Sequence, residues 1–196
     1  MNVCIKPRIM ARMGLLAAVM LATLILAPRA SAAELHVIPI AGTIDHGLAA
    51  FTARAIRDAE AAGAAAVVLD IDTPGGIVAA ALKARDAIVG SKVRTIAYVN
   101  PRAWSAGALL AIACETLVMN PGGSMGAAET RPNEEKYISA LRAEFEATAD
   151  LRGRDPSIAG AMVDADMEIP GLVSRGKILT LTATKAAELG FADATA

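Results

Sequence analysis

Residues 101–113 read Pro101-Arg-Ala-Trp-Ser-Ala-Gly-Ala-Leu-Leu-Ala-Ile-Ala113. The short β-branched and aromatic run before this segment predicts a strand, and the Ala/Leu/Ile run that ends at Cys114 predicts a buried helix. Ser105 therefore lies on a strand-to-helix turn, near the positive end of a helix dipole. A hydroxyl there could attack a carbonyl carbon while nearby N–H groups receive the oxyanion. A small residue at a close packing point would give the same pattern.

Strands and helices alternate along the rest of the chain. The continuous apolar run Ala65–Ile71 is typical of a strand buried on both faces of a parallel sheet. Apolar residues at helical spacing predict amphipathic helices over 47–62 and 136–151. This order predicts an α/β fold, with a mostly parallel sheet flanked by helices. Ligand sites in such sheets form at the carboxyl ends of the strands. The loops predicted at that edge are 72–76, 100–105 and 120–128.

Adjacent glycines occur in the first of these loops. Gly75 and Gly76 have no Cβ, so their backbone N–H groups can come close to a substrate. A tight turn would explain the pair equally well. Beside a serine on the neighbouring loop, the two glycines become candidate oxyanion donors.

A serine nucleophile needs a proton acceptor, and the sequence offers few. His36 lies in the first predicted strand, and His46 follows Asp45 at the start of a helix, where capping explains the pair as well as catalysis does. Lys136 begins the amphipathic helix after a polar segment and could serve as the base if burial lowered its pKa. It could equally be a surface lysine. Cys114 has no histidine near it in sequence, and we expect it to be a small buried residue.

The first 32 residues have the pattern of a secretory signal. Three basic residues precede an apolar run, Gly14–Ala27, and Ala30-Ser-Ala32 supplies a small-x-small cleavage pattern. The alternative is an uncleaved N-terminal anchor, which the short apolar run disfavours. We expect the mature protein to begin near Ala33 and to work outside the cytoplasm, in the periplasm or an equivalent space.

The charge balance of the remaining chain argues against one class of partner. Fifteen of the nineteen cations and all twenty acids follow residue 32, which leaves a net charge of −5. No basic run occurs in that part, so nucleic acid is not an expected partner. Cys114 is the one cysteine there, so an intramolecular disulfide cannot form.

Five motifs in the sequence carry a resemblance to a known family. They are Val37-Ile-Pro-Ile-Ala-Gly-Thr-Ile-Asp45, Asp72-Thr-Pro-Gly-Gly76, Ser105-Ala-Gly107, Pro121-Gly-Gly-Ser-Met-Gly-Ala-Ala128 and Arg152-Gly-Arg-Asp155. In their order and spacing these motifs resemble those of the NfeD proteins, which are membrane-associated serine proteases of the ClpP class, often partnered with stomatin-like proteins. The wider clan includes ClpP and the signal peptide peptidase SppA and has a crotonase-like α/β fold. The resemblance covers nearly all of residues 35–193.

The resemblance implies a Ser–Lys dyad, with Ser105 as nucleophile and Lys136 as general base. Gly75 or Gly76 and the N–H of Ala106 would line the oxyanion hole. The implied reaction is hydrolysis of peptide bonds in hydrophobic segments, such as membrane-protein termini, through an acyl-enzyme. The resemblance also implies one ClpP-like protease domain over residues 33–196, at least a dimer, a stomatin-like partner and membrane association. We expect no cofactor and no metal ion.

The sequence departs from the family at two points. Full-length relatives continue into transmembrane helices and a small β-barrel domain, whereas this sequence ends at Ala196, and the loop over 126–135 is shorter than in the family. Two other functions remain as alternatives. One is a catalytically inactive relative that binds hydrophobic tails or a stomatin-like partner as a scaffold. The other is an acyl-CoA enzyme, which the export signal disfavours.

Overall fold

A mostly parallel sheet runs through the protein, whose computed structural model describes residues 34–196. Its strands are β1 (Leu35–Ile44), β2 (Ala66–Gly76), β3 (Arg94–Trp104), β4 (Thr116–Met119), β5 (Ser124–Gly126), β6 (Thr180–Thr182) and β7 (Ala194–Thr195). The order is β1-β2-β3-β4-β7, and all four of these pairings are parallel. β5 pairs in parallel with the last residues of β3, and β6 pairs with β5 in the antiparallel sense. The predicted α/β fold class is confirmed.

Helices connect the strands. They are α1 (His46–Ala62), α2 (Val78–Val89), α3 (Ala106–Ala113), α4 (Glu135–Leu151), α5 (Pro156–Ala161) and α6 (Ala183–Glu188). Every residue of α3 is buried, because its all-apolar sequence offers no polar face to water. In α1 the buried residues are Ala49, Thr52, Ile56 and Ala59, the spacing of one helix face. The predicted amphipathic helices are therefore present.

Small aliphatic side chains make up most of the core. The fully buried positions of α2 and α3 are mainly alanines, with Leu109, Leu110 and Ile112 as the large residues of α3. Phe145 and Phe191 are the aromatic residues among the largest fully buried side chains. Alanine lets helices and strands pack closely, and this closeness brings backbone segments near one another at the carboxyl edge of the sheet.

The strands continue further than the sequence predicts. We expected loops at 72–76 and 100–105, but β2 continues to Gly76 and β3 to Trp104. The register between β2 and β3 shifts after Ile71 and resumes at Thr73 opposite Ala103. A bulge of this kind bends a strand without ending its pairing. The expected loop at 120–128 likewise contains β5.

Ala33–Ala196 forms one compact unit. The predicted signal peptide, with its cleavage site, lies outside the described residues. Within residues 34–196, no helix combines the length and the apolar character that crossing a bilayer requires.

Candidate active site

Ser105 occupies a strained turn between β3 and α3. Its φ of 51° and ψ of −121° lie in a region that non-glycine residues rarely adopt. Its N–H donates to the Gly126 carbonyl at 2.7 Å, and its own carbonyl accepts from the Ala108 N–H at 2.9 Å. Strain of this kind costs about 1–3 kcal/mol and persists only where the surroundings fix it. Among the described non-glycine residues, only Ala127 shares a positive φ, and it borders the same pocket.

Gly75 lies directly against Ser105. A Cβ added to Gly75 would be 2.6 Å from Ser105 Cβ and 3.1 Å from Ser105 Oγ. The φ of Gly75 is also positive, at +108°. Both facts require glycine here, because a side chain would occupy the space of the serine side chain. The first glycine of the sequence motif therefore lets β2 approach the candidate nucleophile.

The backbone N–H groups of Gly75, Gly76 and Ala106 were predicted as oxyanion donors, and their surroundings differ. The Gly75 N–H donates to Thr73 Oγ1 at 3.0 Å, so it is already engaged within the turn. Gly76 lines the pocket. Ala106 is the first residue of α3, where backbone N–H groups have no partner within the helix.

Ser105 borders a pocket of about 920 Å³. Three segments form its apolar walls. They contribute Pro74, Ile77, Val78, Ala79 and Leu82 from the end of β2 and from α2, Ala127 and Pro132 from the segment after β5, and Tyr137, Ala140 and Leu141 from α4. Glu129, Thr130, Arg131 and Glu144 add polar atoms. The sequence did not identify the α4 residues as pocket residues, although their spacing of three and four along a helix is a detectable signal.

Lys136 does not reach this pocket in the structure. It lies in the first turn of α4 with its side chain 66% exposed, and its Nζ is 3.2 Å from Glu134 Oε2. The ammonium also lies 4.6 Å from the centre of the Tyr137 ring. Within residues 34–196, no hydrogen bond joins Lys136 to Ser105. Ser105 and the glycines are thus brought together, and the predicted base is held apart from them.

The two histidines lie elsewhere in the fold. His46 is exposed at the start of α1, where Asp45 Oδ1 accepts from the Leu48 N–H at 2.8 Å. This bond confirms the capping interpretation of the Asp45–His46 pair. His36 lies on β1, 3.7 Å from Glu34. Neither residue lines the pocket that contains Ser105.

Cys114 is fully buried at the end of α3. Burial raises the pKa of its thiol to about 12, and the nearby guanidinium of Arg154 opposes only part of this rise. A thiol must ionise to act as a nucleophile, so Cys114 is not a nucleophile at neutral pH. Its prediction as a small buried residue is confirmed.

Two arginines hold the far end of α3. Arg152 donates to the Ala113 carbonyl at 2.7 Å, and Arg154 donates to the carbonyls of Cys114 and Phe191, both at 3.1 Å. Burial lowers the pKa of Arg154, and the ion pair with Asp193 at 3.0 Å opposes this lowering. Cations here complement the negative end of the helix dipole and satisfy its unpaired carbonyls. The Arg-Gly-Arg-Asp motif therefore anchors the helix that begins at Ser105.

Trp104 and Arg102 project from β3 outside the pocket. Trp104 Nε1 donates to Ser124 Oγ at 2.8 Å, and the Arg102 guanidinium lies 5.7 Å from the indole ring. Hydrogen bonds from Arg102 lower the pKa of Asp72, and the same carboxylate raises the pKa of Arg102. Trp104 therefore links β3 to β5 through Ser124, and it does not line the pocket. Within residues 34–196, no cluster of three metal-ligating side chains occurs.

Comparison with known proteins identifies related sequences. The family model described as NfeD1b, N-terminal domain, matches residues 34–196. Membrane protein NfeD1b of Bacillus subtilis (strain 168) is 40% identical over 174 residues, which are 86% of this chain and 40% of that protein. Membrane-bound protease PH1510 of Pyrococcus horikoshii is 30% identical over 132 residues, 59% of this chain and 29% of that protein. The chain spans less than half the length of each.

Solved structures agree with the sequence matches. A serine-to-alanine mutant of 1510-N, a membrane-bound stomatin-specific protease, superposes with a TM-score of 0.73 at 26% identity, over 85% of this chain and 81% of the other. A lysine-to-alanine mutant of 1510-N in complex with a substrate peptide gives 0.71 at 26% identity, over 83% and 75%. ClpP1 from Listeria monocytogenes, at 18% identity, gives 0.66 over 82% and 90%, which shows a shared fold.

Proposed function

The chain belongs to the family described as NfeD1b, N-terminal domain, and we propose that it is a serine endopeptidase with a Ser105–Lys136 dyad. Similarity to a membrane-bound protease supports the peptidase class. The observation that carries the proposal is the geometry of Ser105. It combines a strained strand-to-helix turn, a glycine backbone against its side chain and an apolar pocket beside it.

The proposed reaction proceeds through an acyl-enzyme. Ser105 Oγ attacks the scissile carbonyl carbon while Lys136 Nζ takes the hydroxyl proton. The oxyanion would be received by the N–H groups of Ala106 and Gly76, with Gly75 joining only if it leaves Thr73. Lys136 then gives its proton to the leaving amine. A water molecule hydrolyses the ester by the same steps and frees the serine.

For this role Lys136 must leave Glu134 and turn toward Ser105. The segment 131–137 is exposed throughout, so no packed core opposes the movement. An exposed ion pair is worth only about 0–1 kcal/mol, so Glu134 is a weak restraint. The mutated serine and lysine of the 1510-N structures are 41 residues apart, whereas Ser105 and Lys136 are 31 residues apart. We propose that the shorter loop before α4 accounts for the difference.

The pocket supports a hydrophobic substrate. Ile77, Val78 and Tyr137 are large apolar residues that remain exposed where they line it. Exposed apolar surface of this kind gains free energy when an apolar peptide covers it. The 1510-N relatives are described as stomatin-specific. We therefore propose hydrophobic segments of membrane-protein termini as substrates and a stomatin-like protein as partner.

The setting is proposed from the sequence and the relatives. We propose that residues 1–32 export the chain, and that residues 33–196 act as a protease domain outside the cytoplasm and close to a membrane. The relatives are a membrane protein and a membrane-bound protease, which supports membrane association. We also propose that the chain forms a homo-oligomer, at least a dimer.

A scaffold that binds hydrophobic tails without cleaving them is the second candidate. Two observations favour it: Lys136 forms an ion pair with Glu134, and the Gly75 N–H donates a hydrogen bond to Thr73. A chain locked in this state would keep the apolar pocket and lack the assembled dyad.

The two candidates differ in a combined cleavage and binding experiment. The full chain and its Ser105→Ala variant are incubated with a hydrophobic fluorogenic peptide, and both affinity and product are measured. The peptidase proposal expects product from the parent alone and comparable binding by both. Equal binding with no product from the folded parent would favour the scaffold.

A further inference from the structure

Thr73 lies beneath the candidate active site and is completely buried. Its Oγ1 accepts the Gly75 N–H at 3.0 Å and donates to the Gly42 carbonyl at 2.5 Å. The hydroxyl thus joins the bend of β2 to the bulge of β1, where the register between the strands shifts. A buried hydroxyl satisfied on both sides is a rigid link, since breaking either bond leaves a buried polar group unpaired.

The methyl group of Thr73 contacts a different element. A Cβ added to Gly107 would collide with Thr73 Cγ2, so the methyl group fills the space beside the first turn of α3. Ser105 lies between these contacts, because Gly75 adjoins its side chain and Gly107 follows it by two residues. One side chain therefore touches both backbone segments that flank Ser105.

We infer that Thr73 is a positioning residue for the proposed serine nucleophile. Its hydroxyl sets the Gly75 backbone against Ser105, while its methyl group sets the distance to α3. The inference rests on the proposed peptidase function. It assigns the Gly75 N–H to this link and leaves the amides of Gly76 and Ala106 as the oxyanion donors. Thr73 itself does not line the pocket, so it does not contact substrate.

Two substitutions in the full chain separate the hydroxyl from the methyl group. Thr73→Val keeps the shape and removes both hydrogen bonds, whereas Thr73→Ser keeps the hydroxyl. Misplacement of a reacting group by about 1 Å can cost 10²-fold in rate, so we expect kcat to fall about 10- to 100-fold in Thr73→Val. KM should stay within about twofold, because the pocket walls are unchanged. Thr73→Ser should restore kcat to within about threefold of the parent.

A matched control measures the general cost of a lost buried hydroxyl. Thr52 is also completely buried, and its hydroxyl makes one bond, to the Leu48 carbonyl within α1. We expect Thr52→Val to lower the melting temperature and to leave kcat unchanged. A kcat of Thr73→Val equal to that of the parent, or higher, would overturn the inference. A higher value would mean that Thr73 restrains the Gly75 amide away from the reaction.

Amide hydrogen exchange tests the link without any catalysis. The Gly75 amide should exchange at least about tenfold faster in Thr73→Val than in the parent, Thr73→Ser or Thr52→Val, because its acceptor is gone. Unchanged exchange would overturn the inference. A parent that cleaves no peptide refutes the proposed function, and the exchange rates then decide the role of Thr73 alone.

Discussion

Replacing Gly75 by alanine would place a methyl group against the side chain of Ser105. Carbon atoms normally pack about 3.5–4.0 Å apart, and the added Cβ would lie 2.6 Å from Ser105 Cβ. Relief requires a displacement of about 1 Å, either of β2 or of the serine. The positive φ of Gly75 adds strain, because a residue with a Cβ rarely adopts it.

These two effects set the expected magnitude. Overpacking costs about 1–3 kcal/mol, and the backbone strain adds about 1–3 kcal/mol. We therefore expect Gly75→Ala to lower the free energy of unfolding by about 2–6 kcal/mol. The displaced serine should lower peptide hydrolysis by about 10²-fold.

Gly171→Ala is the matched control. Gly171 also has a positive φ, +77°, but a Cβ there would have no neighbour within 4 Å. This variant should lose about 1–2 kcal/mol from backbone strain alone and keep full activity. Urea unfolding and steady-state hydrolysis of one hydrophobic peptide measure both quantities. Equal unfolding free energies for the two variants, with activity retained in Gly75→Ala, would refute the close approach of Gly75 to Ser105.

Three further predictions concern residues around α3 and α4. Lys136→Arg should abolish hydrolysis, because arginine cannot accept a proton at accessible pH. Retained activity would remove lysine from the mechanism. In a Cys4→Ser chain, a thiol reagent should label Cys114 only after unfolding, and urea titrations should show stability falling from about pH 9 toward 12, because the unfolded thiol ionises near 9.0 and the folded one near 12. Arg154→Met should lower the free energy of unfolding by about 1–3 kcal/mol in the same titrations, because it leaves the Cys114 carbonyl at the end of α3 and the Phe191 carbonyl without this donor.

The sequence predicts the central elements because their signals are local. The all-apolar run after Ser105 could only be a buried helix or strand, and its length favoured the helix that the structure contains. The helical spacing of the buried residues in α1 and α4 can likewise be detected in the amino-acid sequence. The bulge between β2 and β3, past which both strands continue, could not be predicted from the sequence, because it depends on pairing between distant segments.

Some features of the candidate site could be predicted from the sequence, and others could not. The approach of Gly75 to Ser105 could be expected, because adjacent parallel strands end at one edge of the sheet. The engagement of the Gly75 amide by Thr73 could not, because it depends on the orientation of one hydroxyl. The position of Lys136 also escapes prediction, since an exposed side chain at the start of a helix has several orientations of similar energy.

The most direct test of the account is covalent labelling of the full chain with a fluorophosphonate, followed by tryptic mapping. Trypsin does not cut between Arg131 and Pro132, so Ser105 and Ser124 fall in one fragment, which is residues 103–136 in the parent and residues 103–142 in Lys136→Ala. Fragment-ion masses distinguish the two serines. The account predicts a single adduct on Ser105 that is absent from Ser105→Ala and strongly reduced in Lys136→Ala. An adduct on Ser124, or a folded parent that takes up no reagent, would contradict the assignment of Ser105 as an activated nucleophile.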